Sequence, residues 1–123
     1  RGCIGTYLPT QKNVALEIID NAIAAATEDY RFNPVIVEEL PELAFTVSLL
    51  QEPQQIKTLK ELDVKKYGVI VKATDGRSGL LLPEIESVDT PEKQVSIAAQ
   101  KGGINLTRDS IYLFRFTVDK YRD

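Results

Sequence analysis

Between Gln11 and about Thr27 the apolar residues recur at helical spacing. Leu16, Ile19 and Ile23 form one stripe, with Ile18, Ala22 and Ala26 beside it. This predicts the first helix. The opening RGCIGT, residues 1–6, sets glycines around a Cys-Ile pair and reads as the end of a strand entering a turn. After the helix, DYRFNPV contains Pro34, which disfavours helical continuation and biases Asn33 towards extended backbone, so the chain turns there. A short helical turn at VEEL, bounded by Pro34 and Pro41, leads into Leu43 to Leu50. There Phe45, Val47 and Leu49 alternate with Thr46 and Ser48 as in a half-buried strand.

Lys57 to Lys66 is charged and irregular, with room for one helical turn. YGVIVKA and GLLLP then flank TDGRS, whose Asp-Gly pair is a hairpin signal, so these two runs should pair. Thr90 before Pro91 has the form of an N-cap and first helical residue, and Gly102 with Gly103 suits a left-handed stop. The helix so delimited, Pro91 to Lys101, has a small apolar face of Val95, Ala98 and Ala99, which implies close packing. IYLFRFTVDKY closes the chain as a strand with Tyr112, Phe114, Phe116 and Val118 on one face. Strands and helices in this mixed order predict an α+β domain with a largely antiparallel sheet flanked by helices.

At 123 residues the chain suits one compact domain, or one domain with a small lobe. The longest apolar runs, around Ile18 to Ala26 and Ala44 to Leu50, fall far short of the ~20 residues that span a bilayer, so no membrane span is expected. Fifteen Lys and Arg against 18 Asp and Glu give a net charge of -3, which repels polyphosphate and makes nucleic acid a poor partner. The absence of His excludes Ser-His-Asp and Cys-His nucleophile pairs and His-containing metal sites within the chain. A single Cys forms no internal disulfide and fits a reducing, cytoplasmic setting. The chain has no Met, even at position 1, and so reads as a processed or truncated piece.

Candidate chemistry concentrates near the start. Cys3 is the only soft nucleophile; Gly2 and Gly5 free backbone around it, and Arg1 favours its thiolate. The plain alternative is a small buried hydrophobe beside a tight turn. Arg31 and Phe32, on the turn after the helix, could clamp a carboxylate or phosphate; equally, Arg31 could pair with Asp29 or the preceding helix carbonyls while Phe32 packs. Glu39, beside Glu38 on a proline-bounded turn, could act as a base or orient a cation, or simply be solvated. Lys101 sits where a cation gains from the dipole of a helix end. No clustered pattern argues for a metal, and nothing calls for a cofactor.

Several strings occur together and in order: RGCIGT, DYRFNPV, EELPEL at Glu38 to Leu43, VSLL at Val47 to Leu50, GLLLPEI at Gly79 to Ile85, and QKGGI at Gln100 to Ile104. Through them the chain resembles the AMMECR domain family over nearly its whole length, departing at Tyr30, where a proline is common. The resemblance implies a single AMMECR-like domain over residues 1–123, lacking a preceding helix and first strand. It also implies an α+β fold with a larger and a smaller lobe, a cleft near the Arg-Gly-Cys motif, and a cytoplasmic protein. Partners implied by the resemblance are a Memo-like protein of dioxygenase fold and a radical-SAM protein. Two functional readings follow. One is a ligand-binding cleft around RGCIGT that takes a small anionic metabolite and works with a partner enzyme, with Arg1, Gly2, Gly5, Arg31, Phe32, Glu39 and Lys101 as ligand-binding residues. The other is a cysteine-dependent enzyme with Cys3 as nucleophile or group carrier on a small anionic substrate. Whether the chain is an enzyme stays open between them.

Overall fold

The computed structural model describes all 123 residues. The chain divides into two units: a larger one, Ser48–Lys120, and a smaller one, Arg1–Val47 with Tyr121–Asp123. Six strands and two α-helices follow in the order α1 (Val14–Thr27), β1 (Thr46–Leu50), β2 (Gln54–Ile56), β3 (Gly68–Ala73), β4 (Ser78–Leu81), α2 (Pro91–Lys101), β5 (Ile111–Phe116) and β6 (Val118–Arg122). Short 3-10 helices cover Val37–Glu42 and Leu59–Glu61. No helix is long and apolar enough to cross a membrane.

In the larger unit, four strands form an antiparallel sheet in the order β2-β5-β3-β4. β3 and β4 pair as the Asp75-Gly76 signal predicts, with Gly76 at φ +99° in the connection. The directly opposed pairs Val71 with Leu113 and Ala73 with Ile111 share the face on which the core is built. Ile56, Leu62, Val69, Leu81, Val88, Val95, Ala98, Ala99 and Ile104 complete that core. α2 is capped as expected: Thr90 Oγ1 accepts from Lys93 N–H at 3.2 Å, Pro91 opens the helix, and Gly103 takes the left-handed position. Its small face permits a very close approach to the sheet. A Cβ built on Gly79 would lie 1.8 Å from the Ala98 carbonyl oxygen, so only glycine lets β4 reach the helix backbone.

The final strand differs from its sequence expectation. The run 111–121 is two strands rather than one: β5 joins the four-stranded sheet, while β6 pairs with β1 in a separate two-stranded ribbon. The chain changes partner at Thr117, a long-range event with no local mark. Both faces of β5 carry apolar groups. Ile111 and Leu113 pack on the core, and on the alternate face Phe116 is buried over Gly68 while Tyr112 is half exposed. Phe45 likewise precedes its strand, its N–H bound by the Asp123 carboxylate at 3.1 Å. β2, only three residues long, has no periodicity to announce it.

In the smaller unit α1 begins at Val14 rather than Gln11, because the Asn13 side chain accepts from Leu16 N–H at 2.9 Å and caps the helix. The RGCIGT segment is not a strand end. It is coil, and the Cys3 N–H goes to the Asp29 carboxylate instead of a neighbouring strand.

Candidate functional site

The site lies wholly within the smaller unit, where three carboxylates bind the segments that flank α1. Glu17, in the first turn of α1, accepts from the Thr10 hydroxyl at 2.8 Å, the Gln11 N–H at 2.8 Å and the Thr6 hydroxyl. The Thr6 hydroxyl, then that of Thr10, lowers its pKa below the usual carboxylate value. Asp29 follows the end of the helix, with only 4% of its side chain exposed. Its Oδ2 accepts from Cys3 N–H at 3.0 Å and Arg31 Nη2 at 2.7 Å. Its Oδ1 accepts from Arg31 Nε at 2.9 Å and the Arg31 backbone N–H at 3.2 Å. The Arg31 guanidinium, and next the Cys3 N–H, hold this carboxyl well below the usual range. The fork-to-fork geometry is why Asp29 can be buried while charged.

Glu39 performs the same service for Arg1. Its two oxygens take the Arg1 guanidinium, with Nη2 at 2.9 Å from Oε2, and the same Oε2 accepts from Ile36 N–H at 2.9 Å. Its pKa is lowered to about 2, first by the Arg1 hydrogen bond and then by the Ile36 N–H. Arg1 also donates to the Asn33 carbonyl at 3.0 Å and the Pro34 carbonyl at 3.2 Å, so it ties RGCIGT to DYRFNPV. Val35 N–H returns to the Ala26 carbonyl at 2.8 Å and anchors DYRFNPV to the end of α1.

Around this knot an open hollow of about 540 Å³ is lined by Arg1, Tyr30, Arg31, Phe32 and Asn33. Tyr30 is 96% exposed, and the Arg31 guanidinium lies 5.4 Å from the centroid of the Phe32 ring. With Nε and Nη2 committed to Asp29 and the Cys3 carbonyl, Nη1 is the guanidinium edge left to face a ligand. Each arginine charge in the wall is matched by a carboxylate, so the hollow offers directed donors and aromatic faces rather than a strongly positive field.

The residues singled out by sequence fall into three groups. Arg1, Arg31, Phe32 and Glu39 come together at the hollow or in its frame. Gly2 is structural, because its φ is +99° and a Cβ there would lie 2.0 Å from the Ala25 carbonyl oxygen; glycine lets RGCIGT cross α1 in contact. Gly5 meets nothing within 4 Å of where its Cβ would be. Cys3 is exposed rather than a buried hydrophobe. Its backbone N–H and carbonyl hold Asp29 and Arg31, and the residue is not among those lining the hollow. Lys101 belongs to the other unit, as the last residue of α2. Glu17, Tyr30 and Asn33 were not expected. Tyr30 and Asn33 lie inside the DYRFNPV string, while nothing local marks Glu17 as a three-residue anchor. No group of three or more His, Cys, Asp or Glu side chains is placed to hold a metal.

The chain is similar to known proteins over nearly all of its length. A Thermotoga maritima protein is 55% identical over 122 residues, which cover 99% of this chain and 70% of that protein. A Clostridium acetobutylicum protein is 48% identical, and the match covers 98% of this chain but only 24% of its own length. The crystal structure of uncharacterized protein PH0010 from Pyrococcus horikoshii superposes with a TM-score of 0.86 at 30% identity, covering 100% of this chain and 64% of that one. Mixed α/β architecture with antiparallel sheets is thus common to both structures. The AMMECR1 family profile matches residues 1–121, and the chain belongs to that family.

Proposed function

We propose that the chain is a binding module: the hollow framed by RGCIGT and DYRFNPV takes a small ligand and presents it to, or withholds it from, a partner enzyme. The observation that carries this reading is the lining of the hollow by two aromatic residues, Tyr30 and Phe32, and by two arginines already neutralised by Asp29 and Glu39. Such a wall binds by shape, stacking and the directed Nη1 donor edge of Arg31, which suits a flat metabolite bearing a carboxylate or carbonyl. Association with a larger polypeptide is supported by the Clostridium acetobutylicum protein, in which the matching region is about a quarter of the whole. The partner expected from the family resemblance is a Memo-like or radical-SAM protein, in a cytoplasmic setting.

The second reading, a cysteine-dependent enzyme, is favoured by one fact: the Cys3 residue is exposed. Against it, Asp29 and Arg31 take the backbone N–H and carbonyl of Cys3, and Cys3 is not among the residues that line the hollow. Untargeted mass spectrometry of small molecules retained by the purified protein separates the two. Retention that is lost on Phe32→Ala and Tyr30→Ala but kept on Cys3→Ser supports the binding module. Retention lost on Cys3→Ser, together with a mass adduct on Cys3 in the parent protein, establishes the enzyme instead. A parent protein that retains nothing from lysate removes the ligand-binding reading.

A further inference from the structure

The polar groups left unused around the hollow narrow the class of ligand it suits. Arg31 keeps Nη1 free, and the side-chain amide of Asn33 makes no hydrogen bond within the chain. The guanidinium only donates, whereas the amide carries a donor and an acceptor side by side. A simple carboxylate, which only accepts, answers Arg31 and leaves the Asn33 amide oxygen without a donor. A ring holding a carbonyl next to an N–H, a lactam, answers both. Phe32 is 43% exposed and Tyr30 96%, so a flat ring has aromatic surface to stack against. Charge selects further. Arg1 is matched by Glu39, and Arg31 by Asp29, whose side chain is only 4% exposed. A phosphate that drew Arg31 away would leave that buried carboxylate unpaired, a heavy penalty, so the hollow favours an uncharged occupant.

We propose that the hollow takes an uncharged 6-oxopurine nucleoside, its base against the Phe32 and Tyr30 rings, with Arg31 Nη1 donating to the O6/N7 edge and the Asn33 amide oxygen accepting from N1–H. Arginine donors suit the two acceptors of that edge. A volume of about 540 Å³ holds a base with its ribose and lies within the range of small-molecule sites. The 5′ end needs no phosphate contact, in keeping with the neutralised arginines and the net charge of -3. The inference rests on the binding-module reading of the same hollow and narrows its ligand from a flat carboxylate or carbonyl compound to a lactam heterocycle.

The test is an NMR titration of the backbone amides of the 123-residue chain with inosine, adenosine and inosine 5′-monophosphate. Inosine should shift the amides of residues 30–33 and bind about tenfold more tightly than adenosine, the worth of one good set of base-edge hydrogen bonds. The monophosphate should bind no more tightly than inosine. Phe32→Leu should weaken inosine about tenfold through lost stacking. Asn33→Ala removes an amide that holds nothing within the chain, so it should erase most of the preference for inosine and leave the spectrum of the free protein that of the parent. Shifts confined to residues outside the hollow, or none with inosine at about 5 mM, overturn the proposal. So does a monophosphate that binds tenfold more tightly than inosine, because an anion site then carries the binding. A parent protein that retains another small molecule from lysate but ignores inosine loses this inference and keeps the binding module; one that retains nothing loses both.

Discussion

α2 fully buries Gln94, Val95, Ala98 and Ala99 over its 11 residues, whereas α1, with 14, has side chains such as Ile18 and Ala22 half-buried and none fully buried. The two helices are placed by different physics. α2 lies on a sheet so closely that Gly79 admits no Cβ, and its position is fixed by packing. α1 is fixed at its ends and along its flank by polar groups. Glu17 gathers residues 6–11 at one end, Asp29 gathers Cys3 and Arg31 at the other, and Gly2 lets the RGCIGT backbone lie on the helix between them. A unit fixed by packing resists pH and fails when volume is lost. A unit fixed by ionised carboxylates tolerates apolar substitution and fails when the charges are removed.

The contrast is broken most severely in the larger unit. Phe116→Ala, which empties a side chain only 1% exposed over Gly68, should cost about 3–5 kcal/mol in urea unfolding. Next is Gly2→Ala, where both the +99° φ and the 2.0 Å approach to Ala25 oppose a side chain; a loss of about 2–3 kcal/mol is expected. That loss should appear as faster amide exchange in α1 with β3, β5 and α2 unchanged. A loss shared equally by both units would mean that they unfold as one.

Acid sharpens the same contrast more gently. The folded-state pKa values of Asp29 and Glu39 are lowered, so the stability they supply is complete above their unfolded values, near 3.8 and 4.5, and is lost as pH falls. For Glu39 the window runs from about 4.5 to about 2, and for Asp29 it extends from 3.8 to below the usual carboxylate range. Unfolding in this window takes up protons, so stability should rise with pH there. In Glu39→Gln the part of the slope between 4.5 and 2 should flatten, as read by chemical denaturation at a series of pH values.

What could be read from sequence follows the same division. α2 was legible to the residue because its boundaries are local: the Thr90 cap, Pro91 at the first position and Gly103 past the end. The β3–β4 hairpin was legible from Asp75-Gly76 for the same reason. The three-residue β2 and the partner change at Thr117 were not, since each is decided by strands distant in sequence. In the site, Asp29 and Arg31 are two residues apart and their pairing was among the readings open to sequence. The Arg1–Glu39 pair closes over 38 residues, and sequence could offer both residues as candidates without placing one on the other. The Leu16, Ile19 and Ile23 stripe shows the converse limit. Periodicity identified the helix but could not say which apolar side this chain covers.

The role of Asp29 as the group that organises the site is tested most directly by native-state amide exchange in the parent protein and in Asp29→Asn. Cys3 and Arg31 donate their backbone N–H groups to this carboxylate, and a neutral amide cannot hold the Arg31 guanidinium in the same fork. Residues 1–6 and 29–35 should lose protection in the variant while β3, β5 and α2 keep theirs. Unchanged protection at Cys3 and Arg31 would show that the smaller unit is ordered by something other than its carboxylates.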